Sequence, residues 1–167
     1  MKNLSMILPA VCVLLAASAS TQQLPWQGKG GSADKDHQSV RYLFPEQVTV
    51  TANKPATVEL HFRIADGLHV NSHTPHEKSF IRTDLVLAEP SGVKIPAVDF
   101  PPGSDYSFAV NPSEKLSVYT GEFVLVAHLT AQPGEHLLEG ALRYQACDST
   151  SCYPPRKLPV AVSVIAR

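Results

Sequence analysis

Residues 58–64 read VELHFRI, with hydrophobic and polar side chains alternating along the whole stretch. The hydrophobic positions are Val58, Leu60, Phe62 and Ile64, and the polar positions are Glu59, His61 and Arg63. Because successive side chains of a β-strand lie on opposite faces, this pattern predicts a strand with one face against a core and the other toward water.

Similar short segments follow, and Asp66-Gly67 is a turn signal between the first two. The further predicted strands are Leu68–Ser72, Asp84–Ala88, Gly92–Val98 with a break at Pro96, Leu116–Tyr119, Glu122–Thr130, His136–Cys147 and Lys157–Ala166. His136–Tyr144 also fits helical spacing, but Gly140 favours a strand. Gly103–Lys115 is predicted to be a long loop. Seven to nine short strands without a convincing helix predict an all-β fold, an antiparallel β-sandwich.

The N-terminus is typical of an exported protein. Residues 1–20 combine Lys2, a short apolar stretch and a small-residue cleavage site near Ala19, so they are predicted to be a signal peptide. Residues 21–39 are polar and glycine-rich and are predicted to be a flexible leader before a single domain at 40–167. The apolar stretch is too short for a membrane span, so we expect a protein that is periplasmic or otherwise exported and is not inserted in a membrane.

The charge balance is close to neutral, with 14 Lys and Arg against 15 Asp and Glu. Basic runs are absent from the sequence, which argues against nucleic acid or anionic lipid as a partner.

Residues 144–155 read YQACDSTSCYPP and contain two of the three cysteines, Cys147 and Cys152; the third, Cys12, lies in the predicted signal peptide. If the flanking strands form a hairpin, Asp148–Ser151 is its loop and the two cysteines face each other at about 4.5 to 5.5 Å between Cα atoms. A disulfide there closes so small a ring that it contributes only about 2 kcal/mol. Both a structural disulfide and a redox-active pair remain open on spacing alone.

The motif YQACDSTSCYPP, followed by KLPV at 157–160, resembles the active-site stretch of the N-terminal periplasmic domain of the thiol:disulfide interchange protein DsbD. The loop between the cysteines is one residue shorter than in the family form, and weaker similarity extends over Val40–Ala166. The resemblance implies an immunoglobulin-like sandwich that carries electrons as a dithiol. In such a carrier Cys152 forms the mixed disulfide with partners and Cys147 resolves it.

The resemblance also implies partners and surroundings for the pair. The partners would be thioredoxin-fold redox proteins, including those of cytochrome c maturation, and a membrane electron transporter of DsbD type that acts in trans on a monomer. A cap loop within Ser104–Lys115 would cover the sulfurs. The expected surround of the site is Tyr106, Phe108, His69, Asn71, Tyr144, Tyr153 and Pro154, where His69 and Asn71 stand in place of family tyrosines. We expect no cofactor and no bound metal.

Asp148 adjoins Cys147 and, if its carboxylate is close to the sulfur, would oppose formation of a thiolate.

The competing interpretation is a binding module with a structural disulfide, with His69, His73 and His76 as candidate ligands of a copper or zinc carrier. Pro75 and the irregular spacing of these histidines fix no coordination geometry, which favours a polar surface loop. A reduction potential would separate the interpretations, because structural disulfides typically lie below about −300 mV.

Overall fold

The computed structural model describes residues 39–43, 47–108 and 111–167. The predicted signal peptide and the predicted leader up to residue 38 lie outside the described residues. The described residues form twelve strands: β1 Val40–Leu43, β2 Gln47–Val50, β3 Ala56–Ile64, β4 His69–Asn71, β5 Asp84–Leu87, β6 Val93–Asp99, β7 Ser104–Phe108, β8 Asn111–Tyr119, β9 Glu122–Ala131, β10 Gly134–Tyr144, β11 Ala146–Cys147 and β12 Arg156–Ala166. Within these ranges, none of the chain forms a helix long and apolar enough to cross a membrane.

The strands form three four-stranded sheets, and the all-β, immunoglobulin-like sandwich predicted from the sequence is confirmed. The first sheet has the order β1-β3-β9-β6, the second β2-β12-β10-β5 and the third β11-β4-β8-β7. The pairing is antiparallel throughout except between β2 and β12, which run parallel with Val48 opposite Val164. That parallel pair is a difference from the predicted antiparallel arrangement.

The alternation in β3 places its hydrophobic residues in the core, as predicted. Leu60 and Phe62 are fully buried and Val58 and Ile64 nearly so, whereas Glu59 and Arg63 are exposed. The core continues through buried side chains of β9 in the same sheet and of β10 and β12 in the second sheet, among them Leu125, Leu129, Leu138, Leu142, Val162 and Val164. Each such side chain contributes about 1.5 to 3 kcal/mol by leaving water, so the core is large compared with one small disulfide ring.

The region predicted as His136–Cys147 is a strand rather than a helix, broken into β10 and β11 at Gln145. It pairs with β12 from Gly134 opposite Ala166 to Tyr144 opposite Arg156. Gly140 lies within β10, where the backbone of β5 approaches closely. A Cβ at this position would collide with the carbonyl oxygen of Val86 on β5, so the position requires glycine. The break predicted at Pro96 appears as a shift of register between Lys94 and Ala97 in the pairing of β6 with β9.

The prediction of a long loop at Gly103–Lys115 is wrong, because the segment contains β7 and the first part of β8. These strands form an antiparallel hairpin, with Ser104 opposite Val118 and Phe108 opposite Asn111. Its first strand, β7, is the edge strand of the third sheet, and most side chains of the hairpin are exposed or only partly buried. An edge strand of this kind needs no buried apolar face, so the period-two signal is missing from its sequence.

Candidate functional site at the cysteine pair

Cys147 and Cys152 face each other as an isolated antiparallel bridge and are joined by a disulfide. Cys147 ends the short strand β11, an edge strand of the third sheet, and Cys152 lies beyond the four-residue loop. Their Cα atoms are 3.9 Å apart, closer than the range expected for an ordinary cross-strand pair. The predicted hairpin with opposed cysteines is therefore present.

The two cysteines differ sharply in exposure. Cys147 has no exposed surface, whereas Cys152 is exposed. The rate of thiol–disulfide exchange depends on access to the attacking sulfur and to the sulfur that is attacked. An incoming protein can therefore reach Cys152 first, while Cys147 stays inside.

The loop between the cysteines is organised by the carboxylate of Asp148. One oxygen accepts hydrogen bonds from the backbone N–H of Thr150 at 2.7 Å, the backbone N–H of Ser151 at 2.8 Å and the Thr150 hydroxyl at 2.9 Å. The other oxygen accepts one from the Tyr153 hydroxyl at 2.9 Å. The backbone N–H donors of Thr150 and Ser151, followed by the two hydroxyls, hold the pKa of Asp148 well below its usual range.

This role of Asp148 was missed by sequence reasoning, which considered only repulsion of a thiolate. The signal was available in Asp-Ser-Thr-Ser at 148–151, since an aspartate that accepts from the N–H two residues on forms a standard side-chain turn.

The segment after Cys152 is bound back to β11. The Tyr153 N–H donates to the carbonyl of Ala146 at 2.8 Å, and the Gln145 side-chain amide donates to the carbonyl of Tyr153 at 3.1 Å. Tyr144 is buried, and its hydroxyl shares a hydrogen bond with Ser39 at 3.1 Å. Pro154 is exposed. Tyr144 and Tyr153 therefore hold the hairpin in place on either side of the cysteines.

His69 is the cross-strand partner of Cys147. β4 pairs with β11 so that His69 lies directly opposite Cys147. Its side chain is 2% exposed, and its Nε2 is buried without a hydrogen-bond partner among the described residues. Burial lowers the pKa of His69, and the negative charge of Asp148 opposes that effect.

Both aromatic residues predicted as candidate caps pack on His69. The Tyr106 ring is 4.1 Å from the His69 ring between centroids, the Phe108 ring is 5.8 Å away, and the two aromatic rings meet edge to face. The segment predicted to contain the cap is thus the β7–β8 hairpin rather than a loop. It places Tyr106 closer to His69 than Phe108. Both lie on β7, which β8 and β4 separate from β11 in the order of the third sheet.

Asn71 lies two residues after His69, and its side chain bonds to the segment before β5. It is buried and donates to the carbonyl of Ile81 at 3.0 Å. The Asn71 carbonyl accepts from the Thr83 hydroxyl. Asn71 therefore anchors the segment before β5.

The three histidines of the proposed metal cluster do not converge. His73 Nδ1 lies 3.0 Å from the carbonyl of Thr83, and its ring stacks on Phe100 at 3.7 Å, whereas His76 bonds to Asp105 at 3.2 Å. No group of three or more His, Cys, Asp or Glu side chains that could hold a metal ion occurs in the part of the chain that the structure describes.

The sequence matches a family model, that of the thiol:disulfide interchange protein DsbD, N-terminal, over residues 39–163. A search of curated proteins finds no match. Among solved structures, the reduced N-terminal domain of DsbD from Neisseria meningitidis is similar, with 20% identity, a TM-score of 0.43, and coverage of 67% of this chain and 80% of that chain.

Two further solved structures are similar at lower identity. The N-terminal periplasmic domain of ScsB from Proteus mirabilis has 12% identity and a TM-score of 0.48, with coverage of 74% of this chain and 43% of that one. The VesB protease of Vibrio cholerae has 9% identity and a TM-score of 0.39, with coverage of 79% and 33%. With TM-scores this low, the assignment depends on the family match, which spans most of the sequence and includes both cysteines. The chain belongs to the family of the N-terminal domain of the thiol:disulfide interchange protein DsbD.

Proposed function

We propose that this protein is a periplasmic thiol–disulfide oxidoreductase that carries two electrons in the Cys147/Cys152 pair to thioredoxin-fold partners. The observation that carries the proposal is the unequal exposure of the two cysteines in a member of the DsbD N-terminal family: Cys152 is exposed and Cys147 is buried. A carrier needs one sulfur that partners reach and a second that only its neighbour reaches.

The reaction has two exchange steps. The Cys152 thiolate attacks one sulfur of the partner's disulfide, which forms a mixed disulfide and releases the partner's other sulfur as a thiol after protonation. Cys147 then loses its proton and attacks the Cys152 sulfur, so the Cys147–Cys152 bond forms and the partner's second thiol leaves. The pair has lost two electrons, and the partner's disulfide has been reduced.

The backbone around the pair supports reversible opening. The Asp148 N–H donates to the carbonyl of Ser151 at 2.9 Å, and the Tyr153 N–H donates to the carbonyl of Ala146, so the hairpin has its own hydrogen bonds. These contacts do not involve the sulfurs. The dithiol form can therefore keep the same backbone as the disulfide form.

The β7–β8 hairpin is proposed to act as the cap of this site. Tyr106 and Phe108 pack on the ring of His69, which lies opposite Cys147. Within the hairpin, β7 is the edge strand of the third sheet and neighbours only β8, so β7 can move without separating two other strands. A cap of this kind controls access to the sulfurs between encounters with partners.

Export through the predicted signal peptide at residues 1–20 belongs to the same proposal. A membrane transporter of DsbD type is the proposed electron donor, and the carrier is proposed to act as a monomer.

Trapping of the mixed disulfide tests the function. In a Cys12→Ser background, Cys147→Ser is incubated with an oxidised thioredoxin-fold protein, and adducts are measured on non-reducing gels and by mass spectrometry. We expect a lasting adduct through Cys152, because no second thiol can resolve it. The matched Cys152→Ser variant should trap much less, since its one thiol is buried. Equal trapping by both variants, or none by either, would contradict the proposal.

A further inference from the structure

Among the described residues, a buried histidine whose Nε2 has no hydrogen-bond partner lies directly opposite the inner cysteine. In antiparallel pairs, directly opposed residues have Cβ atoms about 4.5 to 5.5 Å apart on the same face of the sheet. His69 and Cys147 form such a pair in the register of β4 with β11. A buried polar atom without a partner costs free energy, so its retention calls for an explanation.

His69 Nε2 could accept the proton of the Cys147 thiol. Cys147 must lose its proton before it can attack the mixed disulfide, yet burial in apolar surroundings disfavours a thiolate. Because Cys147 has no exposed surface, water has poor access to it. A neutral imidazole on the adjacent strand could take the proton directly.

We propose that His69 Nε2 is the proton acceptor for the Cys147 thiol in the resolving step, an inference that rests on the proposed exchange function. The Cys147 S–H bond breaks, the proton goes to Nε2, and the sulfur attacks the Cys152 sulfur of the mixed disulfide. The bond between Cys152 and the partner's sulfur breaks, and the departing thiolate takes up a proton from the imidazolium or from water. No electrons pass through His69.

The surroundings of His69 support a neutral ring before the transfer and a stabilised cation after it. Burial lowers the pKa of His69, which keeps the ring neutral at pH 7, and the Asp148 carboxylate favours the charged form once the proton has arrived. Among the described residues, two further titratable groups share its surroundings: the Tyr106 phenol, whose ring packs on His69, and Asp66, which lines the same open cleft as His69, of about 390 Å³.

The test separates the two exchange steps with 5,5′-dithiobis(2-nitrobenzoate) as the oxidant. The reduced protein, in a Cys12→Ser background, releases one thionitrobenzoate when Cys152 attacks the reagent and a second when Cys147 resolves the mixed disulfide. The rate of the first release depends on reagent concentration, whereas the rate of the second does not. Absorbance of thionitrobenzoate in a stopped-flow instrument records both.

His69→Gln should slow the second release roughly 100-fold at pH 7, the low end of what a positioned base contributes, and leave the first within about twofold. The parent's second rate should be level near pH 7 and fall in acid as His69 becomes protonated. The variant's rate should instead rise about tenfold per pH unit below the pKa of the Cys147 thiol, because only the thiolate then reacts. His73→Gln is the matched control and should behave as the parent.

Each alternative outcome has a distinct meaning. If the parent releases both equivalents and His69→Gln matches it in rate and pH profile, the inference about His69 is overturned while the exchange function stands. If the parent fails to release the second equivalent, the exchange function itself is refuted. If His69→Gln lowers the melting temperature or slows both releases, the pH dependence of the parent's second release rate is the deciding measurement. A rate that rises tenfold per pH unit from pH 5 to 8 overturns the inference, and a rate that is level near pH 7 supports it.

Discussion

Opening the Cys147–Cys152 disulfide should leave the fold intact and lower the free energy of unfolding by only about 2 kcal/mol. The cysteines are five positions apart, and for so short a ring the loop-closure entropy gives about 2.2 kcal/mol. For a domain of this size that corresponds to a fall in melting temperature of roughly 8 °C. The core does not depend on the bond, because Leu60, Leu125 and Leu142 are fully buried in other strands.

Urea denaturation of the parent, with and without reductant, measures the effect on one sequence. Cys147→Ala/Cys152→Ala provides the variant, since a serine hydroxyl at the buried Cys147 position would add about 1 to 3 kcal/mol of desolvation cost. We expect a cooperative transition, a lower midpoint and an unchanged denaturant slope. Loss of cooperative unfolding, or a loss above about 4 kcal/mol, would refute the reasoning and favour a structural disulfide.

Two further predictions concern the surroundings of the pair. Tyr106→Ala and Phe108→Ala should each raise the rate at which iodoacetamide alkylates the reduced protein several-fold at fixed pH, because the hairpin limits access; Phe100→Ala, which removes a ring stacked on His73, is the control. Rates equal to the parent's in both single variants and the double variant would exclude a cap. Asp148→Ala should lower the urea midpoint at pH 7 and reduce the loss of stability between pH 5 and pH 3. The pKa of Asp148 is lower in the folded protein, so its contribution is present above the ordinary value near 3.8 and is lost as the pH falls below it. An equal acid-induced loss in parent and variant would contradict this role.

Local sequence pattern predicted most of the strands because alternation reports burial directly. The stretch from Val58 to Ile64 alternates since one face meets the core, and β9 and β10 follow the same rule. The cysteine hairpin was also predictable, because its two halves are close in the chain and are followed by a proline pair. Membership of the DsbD N-terminal family was readable from the residues around the same cysteines.

The tertiary structure alone decided the features that depend on contacts between distant segments. Which residue lies opposite Cys147 is set by the register of β4 with β11, and a shift of one position would move His69 to the other face of the sheet. The second half of β8 was predicted as the strand Leu116–Tyr119, but β7 and the first half of β8 were missed because their residues are exposed or only partly buried and carry no alternating signal. The difference in burial between Cys147 and Cys152 was equally invisible in the motif, since it depends on how the third sheet packs rather than on the residues between the two cysteines.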